Sequence, residues 1–67
     1  MQIKINGKVK EIRQIMGLSD FLKQNGIVDK KSVVVIINEK IIKKEDFDTI
    51  QIKENDEIEI LRFVAGG

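Results

Sequence analysis

The chain has 67 residues and a mass of 7.7 kDa, enough for one small domain that buries only about 60% of the surface its unfolded form exposes. A core this size leaves no room for a deep cleft between domains. With 12 basic and 11 acidic residues, a net charge of +1, no Cys and no His, the composition excludes disulfides, thiolate chemistry and Cys- or His-ligated metal, and offers no bulk attraction for nucleic acid or an anionic membrane.

Gln2 to Asn6 alternates apolar and polar residues, so Ile3 and Ile5 share one face of a strand. Asn6-Gly7 is the strongest short-range signal for a two-residue hairpin loop, because both residues tolerate positive φ. Lys8 to Ile12 is then the return strand. Leu18, Phe21 and Leu22 recur at helical spacing, and Gly26 stands where a helix needs a left-handed residue after its end. The spacing predicts a helix over about 18–25, with its N-cap ambiguous between Gly17 and Ser19 and the earlier start favoured because Leu18 belongs to the apolar stripe. So short a helix must dock on a sheet to persist.

Val33 to Ile37 is a continuous β-branched run of strand length and the longest apolar run in the chain, far short of the roughly 20 residues a membrane span needs. Asn38 to Lys40 turns the chain, and Ile41-Ile42 forms a further short strand. Glu45-Asp46-Phe47 reads as a turn whose Phe47 plugs the core. Glu54-Asn55-Asp56 is the last polar turn, and Glu57 to Phe63 the last strand. The order β-β-α-β-β-β predicts one α+β domain over residues 1–67, a roll with one main helix packed on one face of a mixed sheet. Met1 to Lys10 lacks the apolar stretch of a signal peptide, which points to the cytoplasm.

Strand parity predicts an exposed apolar face. Glu57 and Glu59 mark one face of the last strand as solvent-facing, and Leu61 and Phe63 share their parity. If Val33, Val35 and Ile37 face the helix, Val34 and Ile36 face outward. Exposed apolar groups also arise from β-propensity alone. Clustered beside the chain end, Val34, Ile36, Leu61 and Phe63 read as a partner-docking patch. The acidic residues Glu54, Asp56, Glu57 and Glu59 alternate across a strand and read as a solvated rim; no metal site is expected.

The last four residues are Val64-Ala65-Gly66-Gly67, expected to form a flexible tail. A frayed end is the plainest reading. The chemical reading is that the α-carboxylate of Gly67 is the reactive group. An enzyme that activates such a carboxylate must thread the tail through a narrow channel, and residues without Cβ allow its backbone to approach from both sides. Val64, Ala65 and Gly66 then serve as the threaded segment. No reactive side chain is needed, which agrees with the missing Cys and His. The protein is not expected to be an enzyme.

Ile3-Lys4-Ile5-Asn6-Gly7, the helix from Leu18 to Leu22 closing at Gly26-Ile27, the Val33 to Ile42 segment around Asn38-Glu39, and Asn55 to Ile60 leading to Gly66-Gly67 together resemble the thiamine sulfur-carrier family (ThiS), of ubiquitin-like β-grasp fold. Asn55 stands where that family usually carries Gly, a mild departure because Asn accepts left-handed φ. Phe47 lies near a position where the family tends to have Trp. The resemblance implies that a ThiF-like adenylyltransferase activates Gly67 with ATP and magnesium. Sulfur, drawn from cysteine through a desulfurase, converts it to a thiocarboxylate, and a ThiG-like thiazole synthase accepts the sulfur. The chain itself would hold no cofactor, bind neither nucleic acid nor membrane, and be a monomer when free. The rival resemblances are the molybdopterin-synthase small subunit (MoaD-like), which tends to be longer with a Pro before the tail, and a ubiquitin-like protein modifier. The lack of Tyr and Trp argues against a nucleic-acid-binding module.

Overall fold

The computed structural model describes residues 1–63. β1 (Gln2–Ile5) and β2 (Lys8–Glu11) form an antiparallel hairpin with Ile5 opposite Lys8. Asn6 and Gly7 have φ of 49° and 83°, the positive values a two-residue loop needs to match strand twist. Ile12 follows the strand and is buried. β3 (Met16–Gly17) leads directly into α1 (Leu18–Gln24). Gly17 is the N-cap and offers no side chain to the helix; Ser19 donates instead to the Phe47 carbonyl at 3.1 Å and to Asp48 at 2.6 Å.

The helix ends one residue earlier than its apolar spacing suggests, for a local reason. Gly26, at φ 81°, donates its N–H to the Lys23 carbonyl at 3.0 Å, and Ile27 donates to that of Leu22 at 2.9 Å. That pair of bonds is the Schellman closure, and it requires a left-handed residue between them. Asn25 becomes the C-cap, its side-chain amide donating to the Phe21 carbonyl at 2.8 Å.

After a 3₁₀ turn at Lys30–Ser32 come β4 (Val33–Ile37) and β5 (Lys40–Ile42). Asn38 and Glu39 join them at φ 50° and 72°, so Lys40 already belongs to β5. A 3₁₀ turn at Lys44–Asp46 buries Phe47; β6 (Gln51–Ile52) and β7 (Glu57–Arg62) complete the chain described. Asn55, between β6 and β7, has φ 68°, the left-handed value expected of the residue in that place.

The main sheet has the order β2-β1-β7-β4-β5. β7 lies at its centre, parallel to β1 and antiparallel to β4. The mixed α+β sheet with one helix on one face is therefore as predicted. A second sheet, β3 paired with β6, was not predicted: strands of two residues show no period. It ties the entrance of α1 to the segment after Phe47, helped by the Leu18 N–H donating to the Ile50 carbonyl at 2.8 Å. Between helix and sheet lie Ile3, Leu18, Phe21, Val33, Val35, Phe47, Ile52 and Ile58, all fully buried. Each such aliphatic or aromatic side chain contributes about 1.5–3 kcal/mol by leaving water.

Candidate functional site

The face of the main sheet away from α1 is set by register. Val34 lies opposite Leu61, and Ile36 opposite Glu59 on one side and Ile41 on the other. Opposed residues of neighbouring strands point to the same face, so Val34, Ile36, Ile41 and Leu61 form one apolar patch across β5, β4 and β7. Val34 and Ile36 are half-buried by their neighbours, while Leu61 is 51% exposed and Ile41 72%. Ile41 was absent from the predicted patch. A two-residue loop at Asn38-Glu39 places Ile37 opposite Lys40, hence Ile36 opposite Ile41, so the loop length was the signal that would have found it.

The remainder of this outer face is mostly charged, with Val9 exposed near its far edge. Glu57 and Glu59 of β7 are exposed, and Lys4 lies opposite Glu57 on one side and Val9 on the other. The other acidic groups of the rim bond to backbone and to Asn38. Glu54 accepts the Gln2 N–H at 2.9 Å, and Asp56 accepts the Lys53 N–H at 2.8 Å and the Asn38 amide at 2.9 Å. Among the described residues no cluster of carboxylates is arranged to hold a metal ion, and no helix is long and apolar enough to cross a membrane.

The end of β7 is held from two further directions. Its last residue, Arg62, lies opposite Val33 and reaches past the inner edge of the sheet. There its Nη2 donates to the Asn25 carbonyl at the end of α1 at 2.9 Å. The guanidinium thus sits where the helix dipole presents negative charge. One residue on, Phe63 donates its N–H to the Ser32 carbonyl at 2.8 Å, continuing the β4 pairing, and its side chain is 60% exposed. The chain therefore leaves the described fold beside the patch, four residues before Gly67. The predicted loading residue Gly67 and the threading residues Val64, Ala65 and Gly66 lie outside the described residues.

One carboxylate away from this face has a perturbed titration. Asp48 is held below the usual carboxylate range, first by the Ser19 hydroxyl donating to it and then by the positive charge of Lys30, 3.7 Å away. Its contacts bind the turn after Phe47 to the start of α1.

Three comparisons bear on what this arrangement is. Residues 3–67 match the model of the ThiS family. The chain is similar to the sulfur carrier protein ThiS of Bacillus subtilis (strain 168), with 32% identity over 65 residues that cover 97% of this chain and 98% of that one. In structure it is similar to the thiamine biosynthesis protein ThiS of Geobacter metallireducens. The crystal structure superposes with a TM-score of 0.84 at 26% identity over the full length of both chains. The solution structure gives 0.83 at 26% identity, covering all of this chain and 88% of that one. The fold is accordingly the ubiquitin-like β-grasp, and with a family match spanning nearly every residue, the chain belongs to the ThiS family.

Proposed function

We propose that this protein is a cytoplasmic sulfur carrier of thiamine biosynthesis, loaded at the carboxylate of Gly67 and docked on its partners through the outer apolar patch. The observation that carries the reading is the placement of β7. The central strand of the sheet presents Leu61 on the exposed face and delivers the chain at Phe63, anchored to both β4 and the end of α1. A partner seated on the patch therefore meets the segment that leads to Gly67.

The chemistry follows from a carboxylate that is a poor acyl donor. A carboxylate oxygen of Gly67 attacks the α-phosphorus of ATP in a ThiF-like adenylating enzyme, with magnesium, and pyrophosphate leaves. The acyl adenylate is then open to a sulfur nucleophile, supplied from cysteine through a desulfurase. Attack at the carbonyl carbon expels AMP and forms a C–S bond. Sulfide gives the thiocarboxylate directly, whereas a desulfurase persulfide gives an acyl disulfide. A second thiol then reduces that S–S bond, releasing the thiocarboxylate and a disulfide. A ThiG-like thiazole synthase accepts the sulfur. ATP and magnesium belong to the partner, and the carrier contributes no catalytic side chain. Val64, Ala65 and Gly66 form the segment that passes into each partner's channel, and from Ala65 onward small or absent side chains let the surrounding backbone close in.

Intact-mass spectrometry after incubation with a ThiF-type enzyme, ATP, magnesium and a sulfur source tests this. Exchange of oxygen for sulfur gives nearly the same gain as oxidation of Met1 or Met16 to sulfoxide, so the gain must be mapped to the C-terminal fragment or trapped by alkylation. Sulfur on Gly67 in the wild type, absent from a Gly67 deletion, is the expected result. Loading by a molybdopterin-type activating enzyme alone would reassign the pathway. Attachment of Gly67 to a protein amine would make the chain a modifier.

A further inference from the structure

We propose that Asn6 is a positioning residue for loading: its side chain supplies the last hydrogen-bonded rung on the β1 side of β7, and so sets the direction in which the chain leaves the sheet. This rests on the reading that Gly67 is the loaded residue.

The main-chain pairing of β1 with β7 ends at Ile5 opposite Ile58, with the Asn6 N–H donating to the Ile58 carbonyl at 2.8 Å. The next rung would need another residue of β1, but the chain turns back at Asn6-Gly7. The Ile60 peptide groups on that side would be left to water. The Asn6 side chain takes the place of the missing strand. Its Oδ1 accepts the Ile60 N–H at 2.8 Å, and its Nδ2 lies 3.4 Å from the Ile60 carbonyl as a weaker donor contact. Asn suits the place twice over: it tolerates the left-handed φ of the loop, and its amide presents both an acceptor and a donor to a peptide unit.

On the other edge of β7 the main chain of β4 continues its pairing through Arg62 and on to the Phe63 N–H. The departing strand is thus held by a full ladder on its β4 edge and by the Arg62 contact to the end of α1, but on its β1 edge by a single side chain. Without that side chain, the strand between Ile58 and Arg62 has no partner on its β1 edge and can twist within the slack that the exposed Arg62 side chain allows. Seven residues separate Ile60 from Gly67, a reach of about 23 Å if a partner draws them out. A changed exit direction at Ile60 alters how the tail is presented to the partner's channel, and a misplacement of the reacting group by about 1 Å can cost about 100-fold in rate.

Asn38 is the internal control. It occupies the same place in the other two-residue loop, with φ 50°. It donates its N–H to the Glu57 carbonyl at 2.8 Å and accepts the Glu57 N–H on Oδ1 at 3.0 Å. It holds β7 in the same manner as Asn6, but at the start of the strand.

The test compares Asn6→Gly with Asn38→Gly, since Gly keeps both loops at positive φ while removing the amide. Steady-state loading is measured against folded protein with the adenylating enzyme, together with amide hydrogen exchange at Ile60. Asn6→Gly is expected to lower kcat about tenfold with KM changed by less than about twofold, and to speed exchange at Ile60. Asn38→Gly is expected to load as wild type. Asn6→Asp, which keeps the acceptor for the Ile60 N–H, is expected to recover most of the rate. Equal effects of the two Gly variants, a loss confined to KM, or unchanged exchange at Ile60 would overturn the inference. Wild-type protein that takes up no sulfur would instead overturn the carrier reading and this inference with it.

Discussion

Alternate residues of β7 live in two different environments. Ile58 is buried under α1 among Phe21, Phe47 and Val35, whereas Leu61, three positions on, is half exposed on the other side. Both are large aliphatic residues in the same strand, and both pair with β4. The inner face is filled because one short helix and the buried turn at Phe47 cover it, and no element among the described residues covers the outer one. In a chain with so little volume to bury, leaving Val34, Ile36, Ile41 and Leu61 on the outer side forgoes stabilisation that the domain can scarcely spare. The inner face thus stabilises the fold, and the outer face is available to a partner.

The contrast is tested most severely from the inside. Phe47→Ala is expected to cost about 3–5 kcal/mol, comparable to the whole stability of a core this small. Thermal or denaturant unfolding should find the variant largely unfolded. On the outside, Leu61→Asp is expected to cost only about 1 kcal/mol of stability, since Leu61 is half exposed. The same change should weaken association with the adenylating enzyme by about 2 kcal/mol, roughly 30-fold, if Leu61 is an anchor of the interface. Calorimetric titration with that enzyme reads this directly, and a Leu61 variant that binds as wild type would remove the patch from the docking surface. Ile41→Lys lies at the margin of the same patch on an edge strand, and should weaken binding by about 1 kcal/mol or less, with the fold unchanged.

The smallest expected effect lies away from both faces. The Asp48 carboxyl titrates below its ordinary range because the charged form is favoured by Ser19 and Lys30. Its contribution to stability is therefore present at neutral pH, above the unfolded value, and is lost as pH falls through the lowered native value. Ser19→Ala should move the Asp48 titration, followed by NMR, back toward that of an ordinary carboxylate and flatten this part of the acid limb. Because Asp48 is exposed, the accompanying change in stability at pH 7 should be slight.

Much of this organisation is legible in the residues. The strict alternation at Gln2 to Ile5, the stripe of Leu18, Phe21 and Leu22, and the β-branched run at Val33 to Ile37 each announce one element, because each period matches one backbone geometry. Gly26 announces the helix end, and Phe47, an isolated aromatic in a polar turn, announces a plug. The outward direction of Val34, Ile36 and Leu61 follows from parity and two glutamates. Other features were not legible. The β3–β6 ladder involves strands too short to carry a pattern. The patch extended to Ile41 only once the register of β5 was known. Ser19, an open candidate for the helix cap, bonds to Phe47 and Asp48 instead, partners 28 and 29 residues away.

Asn6 and Asn38 show most plainly where local rules stop. Each stands first in a two-residue loop at nearly the same φ, 49° and 50°, and each loop is set by its own residues through sterics within four positions. Their side chains nevertheless bind opposite ends of β7, Asn38 across a sequence separation of 19 and Asn6 across one of 54. The composition and periodicity of the chain determined its longer elements, its two tight loops and the general character of its two faces, since those depend on near neighbours and on apolar burial. Which end of β7 each asparagine holds was decided only by tertiary pairing. A strand parallel to β7 brings its loop to the end where the chain departs, and an antiparallel one brings its loop to the start.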